Sequence, residues 1–99
     1  MYISILGKGW KNMVSQKITV TNEQGMHMRP ASLFSQTMTP FASDVKIVFN
    51  DTTYDAKSVM MLMSACIKCG AEIEIQCDGP DENEALKKAV ELVESGLGD

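Results

Sequence analysis

Apolar residues follow two different spacings along this chain, and the order in which those spacings succeed one another constrains the fold. Residues 14–20 (VSQKITV) and 71–77 (AEIEIQC) alternate polar and apolar side chains, as strands with one buried face do. From Met28 onwards the apolar positions recur at a helical spacing, and Pro40 marks the end of that segment. We therefore predict a strand followed by a helix early in the chain, and another strand late in it.

The middle of the chain predicts a hairpin and a second helix. Residues 44–50 (DVKIVFN) and 52–56 (TTYDA) read as two strands joined at Asn50–Asp51, a pair that accepts turn geometry readily. Residues 58–70 (SVMMLMSACIKCG) predict a helix that its serine caps and its glycine ends. A last helix is indicated by apolar residues at helical spacing, namely Leu86, Ala89, Val90 and Val93.

The predicted order of elements is β-α-β-β-α-β-α, which fits an α+β fold of two layers. In this open-faced sandwich, helices cover one face of a four-stranded sheet. The 99 residues suffice for one core but not for a deep cleft between two lobes. We assign residues 13–99 to this domain and treat residues 1–12 as an N-terminal extension without an assigned element.

Charge and cysteine content exclude several classes of protein. The net charge is −4, and without a basic stripe we expect no nucleic-acid partner. The chain start lacks the basic leader, long apolar segment and cleavage site of a signal peptide, so we expect no direct membrane insertion. Three cysteines, with Cys66 and Cys69 only three positions apart, cannot form a complete disulfide framework. These features indicate the reducing cytoplasm.

The segment GMHMRPAS, residues 25–32, contains the only histidine of the chain. Pro30 suits the first turn of a helix, because the opening amides have no acceptor inside the helix. The amides of Met28 and Arg29 then point towards His27, at a helix end that carries roughly half a unit of positive charge. Arg29 adds a guanidinium suited to phosphate oxygens, and imidazole, with an ordinary pKa of about 6.5, is available as a nucleophile. A histidine that carries a phosphoryl group is the functional interpretation, and a capping or merely exposed histidine is the structural one.

A hydrolase is the weaker chemical interpretation. The sequence offers no second histidine as a base, no phosphate-binding glycine loop and no carboxylate cluster beside His27. A site that takes up a group without a cleft to process it is typical of a carrier.

GMHMRPAS resembles the active-site segment of HPr, the histidine-containing phosphocarrier family of the bacterial sugar phosphotransferase system, of the low-GC Gram-positive type. Residues 56–65, AKSVMMLMSA, resemble the regulatory-serine segment of that family. The resemblance runs from Met13 to Asp99. It implies four antiparallel strands in the order 1-4-2-3 under three helices.

The resemblance also implies a role for each site residue. His27 would accept a phosphoryl group through Nδ1 from phospho-enzyme I and donate it to IIA units of sugar transporters, with Arg29 as charge partner. We expect a covalent carrier with little catalysis of its own, acting as a monomer without metal or cofactor. Ser58 would be a second phosphorylation site, used by a kinase/phosphorylase for regulation.

The second helix predicts a docking surface, because it has more apolar residues than one sheet face can cover. Val59, Met60 and Met63 are the candidate contacts, and methionine adapts to partners of different shape. The resemblance implies that enzyme I, IIA units, the kinase and a catabolite-control repressor use this helix. Met28 and Met61 depart from the alanine and glycine that are common in the family, and both enlarge the apolar surface.

Two alternatives stay open. One is a purely regulatory HPr-like protein that acts through Ser58 and never carries phosphate on histidine. The other is a metal or redox carrier that uses the CIKC pair, Cys66 and Cys69. We expect this pair inside and at the end of the second helix, as reduced and packed cysteines, which counts against the second alternative.

Overall fold

A computed structural model describes residues 13–98 and contains one four-stranded sheet with three helices. The elements are β1 (Val14–Thr19), α1 (Met28–Met38), β2 (Asp44–Phe49), β3 (Thr52–Asp55), α2 (Val59–Ser64), β4 (Glu72–Asp78) and α3 (Glu82–Glu94). The predicted N-terminal extension, residues 1–12, lies outside the described residues, as does Asp99.

All strand pairs of the sheet are antiparallel, and the strands lie in the order β1-β4-β2-β3. Val14 of β1 and Val45 of β2 both face Cys77 in the central strand β4. The predicted α+β class, element order and strand order are confirmed. Since β1 pairs only with β4 in the described sheet, the first strand depends on the last one.

The core lies between the three helices and one face of the sheet. Alternate residues of the central strands point into it, because successive side chains of a strand face opposite sides. On the other face, Lys46 and Glu72 are exposed. The largest buried core side chains include Phe34, Met38, Ile47, Leu62, Ile73, Ile75 and Val93.

The β2–β3 hairpin has the predicted turn. Asn50 and Asp51 have positive φ angles of 52° and 64°, the left-handed pair that a two-residue type I′ turn requires and that Asn and Asp tolerate better than other side chains do. The turn sets the register in which Phe49 faces Thr52.

The second helix is shorter than predicted, and the expectation that it reaches Gly70 is wrong. It ends at Ser64, Ala65 is its C-cap, and Cys66 has a left-handed φ of 55°. That conformation reverses the chain as glycine commonly does after a helix. The chain turns inward so that Ile67, only 2% exposed, joins the core through a loop instead of a helical face.

The CIKC pair therefore lies in the α2–β4 loop, residues 65–71, and not in the helix. Cys66 and Cys69 are both exposed, whereas Cys77 of β4 is buried. The expectation that the pair is packed is wrong for the same reason: the early end of α2 removes Cys66 from the helix face that packs on the sheet.

Candidate functional site around His27

His27 is the N-cap of α1, with an extended backbone at φ −84° and ψ −169°. Its carbonyl accepts the first helical hydrogen bond from Ala31 N at 2.9 Å, while its imidazole makes no capping bond. Pro30 is buried in the first turn, where its missing N–H removes no helical bond. The capping interpretation of the side chain is therefore wrong, and the imidazole stands at the positive end of an eleven-residue helix.

A shallow surface pocket of about 230 Å³ opens beside the imidazole. It is lined by Glu23, Gln24, His27 and Arg29. The structure thus brings together the predicted histidine and arginine at a helix end whose first amides belong to Met28 and Arg29. His27 is half-buried and accessible, and Met28, the next residue in the chain, is 63% exposed.

Glu23 and Gln24 are site residues that the sequence analysis missed. Residues 21–25 (TNEQG) contain Gly and Asn, which are typical turn formers, so by sequence this stretch indicates only a turn after the first strand. Glu23 and Gln24 lie four and three residues before His27. This spacing could have indicated that they belong to the site, since a tight turn folds such residues back onto the helix end.

The histidine loop, residues 20–27, is held in a tight turn by its own hydrogen bonds. The buried Asn22 donates its side-chain amide to the carbonyl of Gly25, and Gly25 N donates to Asn22 O at 3.0 Å. His27 N donates back to Gly25 O at 3.0 Å. Gly25 has a φ of 69°, which favours glycine.

The α2–β4 loop supports the histidine loop through backbone hydrogen bonds. Met26 N donates to Ile67 O at 2.8 Å, and Gly70 N donates to Val20 O at 2.8 Å. A Cβ on Gly25 would lie 2.6 Å from the Cα of Lys68, so the two backbones touch where only glycine fits. The position of His27 therefore depends on a loop far from it in sequence.

Ser58 is the N-cap of α2, as predicted, and its Oγ accepts a hydrogen bond from Met61 N at 3.3 Å. This hydrogen bond is the one that a capping serine makes at the start of a helix. The side chain is half-buried, so part of it reaches the surface.

The methionines of α2 face outward. Met60 is 82% exposed, Met61 40% and Met63 37%, whereas Val59 is half-buried. Of the predicted docking residues, Met60 presents the most apolar surface. Leu62 alone among the six residues of this helix is fully buried, which is why so much of its apolar side-chain surface remains outside.

The three thiols fall into two chemical groups. Burial raises the pKa of Cys77 to about 11, with smaller contributions from the carboxylates of Glu82 and Asp81. Cys66 and Cys69 are exposed. Among residues 13–98 no group of three or more His, Cys, Asp or Glu side chains is arranged to hold a metal ion.

A family model described as "PTS HPr component phosphorylation site" matches residues 14–95, most of the chain. A curated relative is the phosphocarrier protein HPr of Neisseria meningitidis serogroup A, with 36% identity over 87 residues that cover 88% of this chain and 98% of the relative. The HPr-like protein Crh of Bacillus subtilis is 40% identical over 82 residues, 83% of this chain and 96% of Crh.

A solved structure shows the same fold. The crystal structure of HPr-C-His from Thermoanaerobacter tengcongensis superimposes with a TM-score of 0.83 at 36% identity, covering 87% of this chain and 97% of that one. In the part of the chain that the structure describes, none of the helices has the length and apolar character needed to cross a bilayer.

Proposed function

This chain belongs to the HPr phosphocarrier family of the phosphotransferase system, and from that premise we propose that His27 accepts a phosphoryl group and passes it on. The observation that carries the proposal is the shared pocket of His27 and Arg29 at the start of α1. A phosphate there would lie beside a positive helix end and a guanidinium, both of which favour its negative charge.

The transfer step requires little from the protein beyond position and charge. The imidazole attacks phosphorus through Nδ1, and the bond from phosphorus to the donor breaks as the new N–P bond forms. Arg29 and the first amides of α1 compensate the charge on the phosphoryl oxygens. The pocket is open on the surface, so a donor and an acceptor protein can reach His27 in turn, as a carrier requires.

We propose enzyme I as the donor and IIA units of sugar transporters as acceptors, with the protein working as a cytoplasmic monomer. These partners would contact Met60, Met63 and the exposed part of Val59. The support is the exposure of the two methionines on a short helix, with Met28 as a further exposed methionine beside His27. A kinase/phosphorylase and a catabolite-control repressor would use the same helix.

Ser58 is proposed as a regulatory phosphorylation site. Ser58 is the N-cap of α2. The positive helix end there tolerates a phosphate of about −1.5 to −2 charge. The added charge would oppose docking of a partner that already carries phosphate. Ser58 is half-buried, and before the modification its hydroxyl oxygen accepts the hydrogen bond from Met61 N.

The test of the carrier function is intact-protein mass spectrometry after incubation with phosphoenolpyruvate and enzyme I. We expect an acid-labile phosphoryl adduct on the wild type and on Ser58→Ala, and none on His27→Ala. A donor preparation that charges a control HPr but not this protein would contradict the proposal.

A purely regulatory HPr-like protein is the second candidate, favoured by the 40% identity to Crh. The discriminating experiment is sugar transport in a strain that carries His27→Ala. Lost transport would exclude the regulatory candidate, and unchanged transport would support it. Metal analysis of the purified wild type and Cys66→Ser tests the remaining CIKC metal-carrier alternative.

A further inference from the structure

We propose that Cys66 and Cys69 are a redox modification site, and that their oxidation to an intrachain disulfide loosens the support of the histidine loop and slows phosphoryl transfer. The oxidant is a low-molecular-weight disulfide. The effect on transfer rests on the function proposed above, whereas the effect on the loop does not.

Both thiols of the pair are exposed, and the third thiol of the chain, Cys77, is fully buried in β4. A dissolved disulfide can therefore reach the pair and not the core cysteine. The two exposed thiols are separated by only two residues, so a mixed disulfide on one has the second thiol close along the chain as a resolving group.

In the reduced pair, Cys69 already contacts the histidine loop. Cys69 Sγ lies 3.6 Å from the carbonyl oxygen of Thr21, and its S–H donates to that oxygen. Disulfide formation removes this proton and with it the hydrogen bond. Cys66 is held at a φ of 55°, a left-handed conformation that is uncommon for a side chain other than glycine, asparagine or aspartate.

The ring formed by a Cys66–Cys69 disulfide would enclose Ile67 and Lys68. A disulfide needs its two Cα atoms within about 4.4–6.8 Å and a dihedral angle about the S–S bond near 90° in either sense. Closure therefore restricts the backbone of Ile67 and Lys68, the two residues that the ring encloses. These are the residues that hold the histidine loop, through the 2.8 Å bond from Met26 N to Ile67 O and the backbone contact at Gly25.

Oxidation of the cysteine pair needs the small disulfide as its only reactant. The thiolate of one cysteine attacks the small disulfide, a mixed disulfide forms, and one small thiolate leaves. The second cysteine thiolate attacks the mixed disulfide at the protein sulfur and releases the second small thiolate. The protein dithiol loses two protons and two electrons, and the small disulfide is reduced to two thiols.

The experiment treats the full-length protein with oxidised glutathione and compares it with the protein kept in dithiothreitol. We expect a mass loss of two hydrogens and the disappearance of the two exposed thiols from alkylation. Amide hydrogen exchange should become at least about threefold faster at Met26, as expected for the loss of one hydrogen bond. The phosphorylation rate with enzyme I should fall by a similar factor, and dithiothreitol should restore both.

Two variants are the matched controls. Cys66→Gly suits the left-handed backbone at that position and Cys69→Ser keeps a donor near Thr21. Both should fold, and each should stop at a glutathione adduct on its remaining thiol without forming an intrachain disulfide. In the wild type, the formation of glutathione adducts or dimers alone would overturn the proposal. So would an intrachain disulfide that leaves both Met26 exchange and phosphorylation unchanged. Faster Met26 exchange in a protein that never accepts phosphate would refute the carrier function and leave the redox coupling intact.

Discussion

At the scale of single residues, His27 is positioned by backbone contacts around it. Gly25 is central, because its positive φ lets Gly25 N and O bond on either side and its missing Cβ lets Lys68 approach. Glu23 and Gln24 then lie at the wall of the pocket. The residues that decide the geometry are therefore different from His27 and Arg29, the residues proposed to carry the chemistry.

Replacing Gly25 by alanine should destabilise the protein and displace the histidine loop. A left-handed alanine costs about 1–2 kcal/mol, and the new methyl group would clash with the backbone of Lys68. Gly70→Ala is the matched control, since its φ is also positive, at 90°, but nothing lies within 4 Å of a Cβ there. Urea unfolding should show a larger loss for Gly25→Ala than for Gly70→Ala, and equal losses would contradict the close packing.

Glu23 should lower the tendency of the site to hold a phosphoryl group, because a carboxylate in the same pocket repels a dianion. Glu23→Gln should raise the phosphorylated fraction at equilibrium with phosphoenolpyruvate and enzyme I by about two- to fivefold at low salt. The difference should vanish at high ionic strength, since exposed charges are screened. Glu84→Gln, which removes an exposed acid from α3, should leave the fraction unchanged, and an equal effect of both variants would rule out a local role.

At the scale of elements, the start of α3 is tied to the segment between α1 and β2. Ala42 N and Ser43 N donate to the carboxylate of Asp81, at 2.9 Å each, and the Ser43 hydroxyl donates to it as well. The hydroxyl of Ser43 and then the amide of Ala42 hold the pKa of Asp81 below its ordinary value. Asp81 is thus the N-cap residue of α3, but its side chain joins two connections instead of capping the helix.

This carboxylate should make the stability depend on pH. A depressed pKa means that the stabilisation is present above the unfolded value of about 3.9 and is lost as pH falls through the lower folded value. Asp81→Asn should therefore unfold at lower urea than the wild type at pH 6, with a difference that shrinks at pH 3. Asp51→Asn, which removes an acid from the exposed hairpin turn, is the charge control, and a constant difference for Asp81→Asn across this range would refute the assignment.

The elements also show what the sequence could and could not predict. The period of two in β4 and the helical spacing in α1 reflect burial on one face, which is a local property, so their prediction was confirmed. The end of α2 was missed because Ile67 is apolar for a tertiary reason: it enters the core from a loop after Cys66 has turned the chain. The pocket residue Glu23 was missed likewise, since its nearness to Arg29 depends on the folded turn.

At the scale of the whole molecule, the helices cover one sheet face and still leave apolar surface outside. Met60 is 82% exposed, and Met28 is 63% exposed beside the pocket. A protein that must meet several partners in turn benefits from side chains that adapt their shape. The proposed acceptor site and the proposed docking surface therefore lie on the same helical layer.

Met60→Gln should weaken docking of enzyme I without disturbing the fold, because the side chain makes so little contact inside the molecule. We expect the KM for this protein as substrate to rise about three- to tenfold, the effect of losing one apolar side chain from an interface. Met13→Gln, an exposed methionine outside the helices, is the matched control. Unchanged KM in Met60→Gln, or an equal rise in both, would contradict the docking role.

The support of the histidine loop by the α2–β4 loop has a consequence for protein synthesis. His27 leaves the ribosome long before Ile67, whose carbonyl holds Met26, and β1 emerges long before its partner β4. A nascent chain therefore exposes the histidine loop before the backbone contacts of the α2–β4 loop support it. Under the proposed carrier function, a chain would hold His27 ready for a phosphoryl group only when its translation has almost finished.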